Sequence, residues 1–124
     1  MIRKVNLEET IRNVLARNKK MMIHNDMKVE TKNIEISAYT DEKWLEFILN
    51  QIIVNAIQYR KEKSSEIVIE LEEMKENVKL SIKDNGIGIN KSEIDRIFDK
   101  GFTGTNGRNQ KKSTGIGLYL CKRL

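Results

Sequence analysis

The chain has 124 residues, of which 39% are hydrophobic and 33% are charged, and its formal net charge is +5. This balance argues against a disordered chain and is typical of one globular domain with its own core. No apolar run approaches the roughly 20 residues of a membrane helix, and no signal peptide opens the sequence. A single cysteine excludes an internal disulfide. We therefore expect one cytoplasmic domain over residues 1–124.

The basic residues are spread along the chain and acidic residues are interleaved with them. The one local cluster is formed by Arg108, Lys111 and Lys112, in a glycine-rich segment. Such charge patterning is typical of a solvated surface rather than of a basic stripe that binds nucleic acid. We expect no nucleic-acid partner.

Two helices are predicted in the first half of the chain. Asn6 followed by Glu9 resembles a capping box and opens a helix at about 7–20. Asp41 is a plausible N-cap of a second helix. In that helix the apolar residues recur at helical spacing, which predicts a stripe facing the core; they are Leu45, Ile48, Leu49, Ile52, Ile53 and Ala56.

Short strands are predicted around Val29 and at residues 34–37, where β-branched residues are bounded by turn residues. Two longer strands are predicted at residues 67–71 and 78–82. The second alternates apolar and polar residues, as a half-exposed strand does. It leads directly into Asp84.

A polar line accompanies the apolar stripe of the second helix. Gln51, Asn55 and Tyr59 are spaced at i, i+4 and i+8, so they share one side of the helix. Such a line is often only the edge of a buried face. Whether these residues have a function is therefore judged together with the motifs that follow.

The first glycine motif is Asp84-Asn85-Gly86-Ile87-Gly88-Ile89. A carboxylate at the end of a strand can accept a hydrogen bond from an exocyclic amine such as that of adenine. Glycines let the backbone approach a flat ligand closely. An ordinary Asp-Asn-Gly turn is the alternative interpretation.

The second glycine motif is Thr114-Gly115-Ile116-Gly117-Leu118, which predicts the start of a helix continuing to residue 124. Backbone N–H groups at a helix start form a phosphate site. The polar, glycine-rich segment before it predicts a mobile loop. Neither a Walker A loop nor a Rossmann fingerprint is present.

In this order, the three motifs resemble the ATP-binding domain of bacterial sensor histidine kinases, within the superfamily that includes gyrase B, Hsp90 and MutL. The resemblance extends from about Asn6 to the last residue. It implies an α/β (α+β) two-layer sandwich of the Bergerat type, with helices on one face of a mixed sheet. The family normally adds further strands, so we expect a sheet truncated at its C-terminal end and a longer parent protein.

The resemblance also implies roles for individual residues. Asn55 matches the asparagine that coordinates magnesium, Tyr59 the aromatic that lies against the nucleotide, and Asp84 the adenine-binding aspartate. Further ATP-binding positions match the glycine boxes and the lid between them: Gly86, Gly88, Ile89, Phe102, Thr114, Gly115, Ile116, Gly117 and Leu118. The catalytic candidates are Gln51, Asn55 and Lys100.

Two positions depart from the family pattern. Gln58 stands where many members carry a lysine that contacts phosphate. Ser113 replaces the leading glycine of the second glycine box.

The implied function is that of a protein histidine kinase. The domain would bind Mg-ATP and donate the γ-phosphate to a histidine on a separate dimerisation domain of a membrane-bound parent, with a response regulator downstream. His24 is the only histidine and falls in a predicted turn, so we expect no autophosphorylation of this chain.

Three alternative functions would use the same nucleotide pocket. A hydrolytic ATPase of the gyrase, Hsp90 or MutL kind would use a glutamate where Gln51 stands, and an amide cannot accept a proton as a carboxylate does. An anti-sigma-type serine kinase and a passive nucleotide-binding module are the others.

Overall fold

The computed structural model describes residues 1–58, 65–84 and 115–122. The elements follow in the order β1 (Ile2–Asn6), α1 (Leu7–Arg17), α2 (Lys19–His24), β2 (Met27–Lys32), β3 (Ser37–Asp41), α3 (Glu42–Gln58), β4 (Ser65–Glu73), β5 (Asn77–Asp84) and β6 (Gly115–Cys121). Among the described helices, none has the length and apolar character that crossing a membrane requires.

The described strands form one sheet in the order β1-β3-β6-β5-β4-β2. Strands β2 and β4 are parallel, and the other neighbours are antiparallel. The sheet is therefore mixed, as predicted. Helices α1 and α3 pack against each other and share one core with the inward side chains of the strands.

The core is centred on α3. Leu45, Ile48, Leu49, Ile52 and Ile53 are each at most 1% exposed, which confirms the predicted stripe. Inward residues of β4 and β5 complete the same cluster: Ile67, Ile69, Leu71, Val78, Leu80 and Ile82. Full burial of one such side chain contributes about 1.5–3 kcal/mol. The strands predicted at 67–71 and 78–82 are confirmed within β4 and β5.

Both predicted helix caps are present. The Asn6 Oδ1 atom accepts a hydrogen bond from the Glu9 N–H at 3.3 Å, and the Asp41 Oδ1 atom accepts one from the Trp44 N–H at 3.1 Å. The hydrogen bond from the Met1 ammonium, followed by that from Trp44, holds the pKa of Asp41 below its usual value. The cap of α3 is therefore ionised at neutral pH.

The helix predicted at 7–20 is divided by Asn18. The Asn18 side chain is buried and donates its amide N–H groups to the Val14 carbonyl at 2.9 Å and to the Asn50 Oδ1 atom at 2.8 Å. A side chain that caps its own helix ends that helix, because it takes the carbonyl of the last turn. The chain resumes as α2, and the same side chain joins α1 to α3.

The strand predicted at residues 34–37 is wrong except at Ser37, where β3 begins. Asn33 has a positive φ of 56°, and its side chain donates to the Leu71 carbonyl at 3.0 Å. Ile34 lies in the connection between β2 and β3 and is 4% exposed. It therefore contributes to the core although it is not in a strand. Strand β1, which was not predicted, pairs with β3 along its whole length.

The helix predicted from Gly115 is also wrong within the described residues, because Gly115–Cys121 forms β6. Leu118 and Leu120 are 2% and 5% exposed on the core side, whereas Tyr119 is 53% exposed on the other. Inward and outward residues thus alternate with the period of a strand. Pairing along β5 and burial of the alternate side chains override the local preference for a helix start.

The position of β6 predicts unequal costs for two substitutions. Leu118→Ala should destabilise the protein by about 2–5 kcal/mol, because it leaves a cavity in the core. Cys121→Ala, at an exposed position of the same strand, should change stability by about 0.5 kcal/mol or less. Urea unfolding followed by circular dichroism measures both. Equal, small effects would contradict the burial of Leu118.

Candidate functional site

The predicted site falls partly outside the described residues. Gln51, Asn55, Asp84, Gly115, Ile116, Gly117 and Leu118 lie within them. Tyr59, Gly86, Gly88, Ile89, Lys100, Phe102 and Thr114 lie outside, as does the predicted lid.

Asn55 lies on α3 and is 6% exposed, although its neighbours in the helix are core residues such as Ile52 and Ala56. Gln51, one turn earlier, is half-buried. The two amides therefore follow the edge of the apolar stripe, as the sequence predicts. A buried amide has to be hydrogen-bonded to be tolerated, and its side-chain oxygen is also a ligand type that Mg²⁺ accepts.

Asp84 is the last residue of β5 and lies opposite Ile67 of β4 in the register of the sheet. Its side chain is half-buried. On the other side of β5, Lys83 pairs with Gly115. The β5–β6 pairing therefore brings Asp84 and Gly115, the first glycine of the second motif, to the same end of the sheet, although they are 31 positions apart in the sequence. A carboxylate at this edge can receive an amine donor.

The predicted phosphate site at Gly115–Leu118 is not formed by these residues. Ile116, Gly117 and Leu118 pair with Ile82, Ser81 and Leu80 of β5. Successive amides of a strand point to opposite neighbours, whereas a phosphate site needs several amides directed at one anion. The Leu118 side chain, predicted to bind the cofactor, lies in the core.

Gly117 has a packing role in this conformation. A Cβ atom at Gly117 would lie 3.1 Å from the Cε atom of Lys79. The Lys79 ammonium lies 5.8 Å from the centre of the Tyr119 ring, within reach of a cation–π interaction. The missing side chain of Gly117 therefore leaves room for Lys79 to cross the open face of the sheet.

The described residues also border a surface cavity of about 280 Å³ between α1 and the β2–β3 connection. It is lined by Glu8, Arg12, Thr31, Asn33, Ile34 and Glu35. Sequence reasoning missed this cavity, although the i, i+4 spacing of Glu8 and Arg12 indicates their ion pair at 3.0 Å. None of the predicted site residues lines it.

Residues 40–124 match the family described as "Histidine kinase-, DNA gyrase B-, and HSP90-like ATPase". The matched segment begins in β3 and contains Asn55, Asp84, Gly115 and Gly117. It includes all three motifs that the sequence predicts to surround a nucleotide.

Two relatives are sensor kinases of Bacillus subtilis and Staphylococcus aureus. The sensor histidine kinase YxdK of Bacillus subtilis is 36% identical over 126 residues, which cover 99% of this chain and 38% of YxdK. The sensor protein kinase GraS of Staphylococcus aureus is 48% identical over 87 residues, which cover 70% of this chain and 25% of GraS. The chain thus spans well under half the length of these relatives.

Among solved structures, the catalytic domain of the histidine kinase ThkA superimposes with a TM-score of 0.72 at 20% identity. The superposition covers 100% of this chain and 99% of the ThkA domain. This likeness confirms the predicted fold, a mixed sheet with helices in the arrangement of a histidine kinase catalytic domain.

Proposed function

Because this chain belongs to the family of histidine kinase-, DNA gyrase B- and HSP90-like ATPases, we propose that it is the ATP-binding part of a sensor histidine kinase. The observation that carries the proposal is the match over residues 40–124, within which the sheet sets Asp84 beside Gly115. The sensor kinases YxdK and GraS, which share 36% and 48% identity with the chain, support the kinase over other members of the family.

In this proposal Asp84 recognises the adenine base. Its carboxylate accepts a hydrogen bond from the exocyclic amine, and its place at the end of β5 fixes the position of the base relative to the sheet. A charged acceptor makes such a bond stronger than a neutral one does.

Asn55 is the proposed magnesium ligand. Mg²⁺ keeps several waters and takes few protein oxygens besides phosphates, and one amide oxygen on a rigid, core-packed helix fits that demand. Within the described ranges no group of three or more His, Cys, Asp or Glu side chains could hold a metal by itself. A bound Mg²⁺ would neutralise phosphate charge, and Asn55 would orient it.

The transfer step requires little covalent chemistry from the protein. Phosphoryl transfer depends mainly on positioning and on charge stabilisation. We assign residues 1–124 to one ATP-binding domain of a longer, membrane-bound parent kinase, with the domain on the cytoplasmic side. The acceptor histidine would lie on a separate helical dimerisation domain, and a response regulator would act downstream.

Gln51 distinguishes transfer from hydrolysis. It lies one turn before Asn55 on α3 and is half-buried. An ATPase needs a base at this position to activate water, and an amide has no such capacity. We therefore propose a transferase rather than a hydrolytic ATPase.

Replacement of Asp84 tests the adenine contact. Asp84→Asn should weaken ATP binding about 10- to 150-fold, since a hydrogen bond to a charged group contributes roughly 1.5–3 kcal/mol. Glu70→Gln removes an exposed carboxylate from β4 and should leave the affinity unchanged. Isothermal titration measures both variants. Equal ATP affinities in the two would exclude Asp84 from adenine recognition.

Replacement of Asn55 tests the metal contact. Asn55→Ala should remove the gain in ATP affinity that Mg²⁺ provides, and it should affect metal-free binding less. Asn50→Ala is the matched control, because it removes an amide from the same helix that bonds Asn18. The control should lower stability but keep the magnesium effect. A parallel loss with and without metal in Asn55→Ala would contradict the assignment.

The proposed reaction is tested with labelled ATP and the helical dimerisation domain of a sensor kinase. We expect acid-labile label on the added domain and none on this chain, since transfer needs the acceptor nitrogen within about 3–3.5 Å of the γ-phosphate. His24, the only histidine, ends the short helix α2. Label on His24, or ATP turnover without an acceptor, would contradict the proposal.

A further inference from the structure

Three large apolar side chains are exposed around the short helix α2 and the first half of α3. Ile23 is 68% exposed, Phe47 is 51% exposed and Met21 is 44% exposed. A single exposed apolar residue is ordinary on a protein surface, whereas several close together mark a contact with a partner or a membrane. Whether these three form one surface depends on how α2 lies against α3.

The beginning of α2 is fixed against α3. The side-chain amide of Asn18, the residue before α2, donates to the Asn50 Oδ1 atom at 2.8 Å. Met21 follows Asn18 by about one helical turn, and Phe47 precedes Asn50 by about one turn. The exposed apolar side chains of the two helices therefore lie on neighbouring parts of one surface.

Lysines surround these apolar side chains. In α2 the buried Met22 marks the core side, and Lys19 and Lys20 are exposed on the remainder of the helix. In α3 the exposed Lys43 lies one turn before Phe47, so the two share one side of that helix. The fold thus groups basic residues that are spread along the sequence. We call this surface the basic–apolar patch, and its members are Lys19, Lys20, Met21, Ile23, Lys43 and Phe47.

The patch carries a net positive charge. The carboxylates in this part of α3 are already engaged, since Glu46 lies 3.8 Å from the Arg17 guanidinium and Glu42 is paired with Arg3. Asp26, which follows α2, is the only acidic residue between positions 10 and 28. The three lysines of the patch therefore attract an anionic partner.

These features favour an anionic membrane surface over a folded protein or a nucleic acid. An anionic bilayer attracts lysines and accepts isolated apolar side chains at the boundary between headgroups and acyl chains, without a matching pocket. A stable protein partner needs roughly 800 Å² of complementary surface on each side, and none of the patch residues lines the cavity described above. A nucleic acid would use the lysines through its phosphates but would leave Ile23 and Phe47 without a contact.

We propose that the basic–apolar patch binds the surface of a membrane that contains anionic lipids. Its lysines contact the headgroups, and its apolar side chains enter the boundary with the acyl chains. The patch and Asn55 lie towards opposite ends of α3, because Phe47 is about 12 Å from Asn55 along the helix axis. Membrane binding therefore leaves the proposed nucleotide site accessible.

Weak binding suffices for this contact in a membrane-bound parent, a consequence that rests on the proposed function. A domain linked to a membrane protein is held close to the bilayer, so its effective concentration there is high without any further contact. The patch would then fix which side of the domain faces the membrane.

Co-sedimentation of the whole chain with lipid vesicles tests the inference. The protein should sediment with vesicles of phosphatidylcholine that contain phosphatidylglycerol, and not with vesicles of phosphatidylcholine alone. Lys19→Glu with Lys20→Glu should lower the partition coefficient about tenfold or more. The control is Lys4→Glu with Lys75→Glu, which changes the net charge equally at exposed positions outside the patch. The control should lower the partition coefficient much less.

Two exposed isoleucines test the apolar part of the contact. Ile23→Ser removes an apolar side chain from the patch, whereas Ile2→Ser removes one that is 60% exposed on β1. The first change should weaken binding to the anionic vesicles severalfold, because the side chain no longer leaves water. The second should leave binding unchanged. Both variants should keep the circular dichroism spectrum of the wild-type protein.

The outcomes separate the inference from the proposed function. Equal binding to the two kinds of vesicle, binding to neither, or equal losses in the two double-lysine variants would overturn the inference, as would equal binding by Ile23→Ser and Ile2→Ser. ATP titration is measured separately, and Lys19→Glu with Lys20→Glu should keep the wild-type ATP affinity. A wild-type protein that binds anionic vesicles but no ATP would contradict the proposed function alone. One that binds ATP but no vesicles would contradict the inference alone.

Discussion

The burial of the α3 stripe against β4 and β5 is the interaction on which the other features depend. Leu45, Ile48 and Ile52 are fully buried in the core cluster that also contains the inward residues of both strands. This packing fixes the rotation of α3, because an apolar stripe occupies one side of a helix only. The rotation in turn places Asn55 at the edge of the core, and the length of β5 places Asp84 at the end of the sheet. The packing of the elements that carry them therefore positions the two proposed ligand-binding side chains.

Features with a short-range cause could be predicted from the sequence. The cap at Asp41, the stripe of α3 and the alternation in β5 each depend on residues within a few positions of one another, and the structure confirms them. Features that depend on distant partners could not be predicted. The division of the first helix requires Asn50 to accept from Asn18, 32 positions away. Strand β1 forms because it pairs with β3, and no pattern within residues 2–6 indicates that partner.

Strand β6 depends on both a short-range pattern and a distant partner. Its glycine pattern predicts a helix start by a local argument, and β5 supplies a long-range partner that makes it a strand. The pairing of Lys83 with Gly115 brings the ends of the two glycine motifs together at one end of the sheet. The conformation of the second motif differs from the predicted helix start.

The strands from β5 to β2 carry pairs of opposite charge on their open face. Glu72 lies opposite Lys79, and Lys28 and Lys32 of β2 are register partners of Glu66 and Glu70 of β4. Opposite charges on neighbouring strands contribute roughly 0.2–1 kcal/mol per pair. The inward residues of β4 and β5 belong to the same core cluster as the stripe of α3. The sheet from β5 to β2 is thus supported on both faces and along every pairing, whereas β6 presents Gly117 and the exposed Tyr119 and Cys121 on its open face.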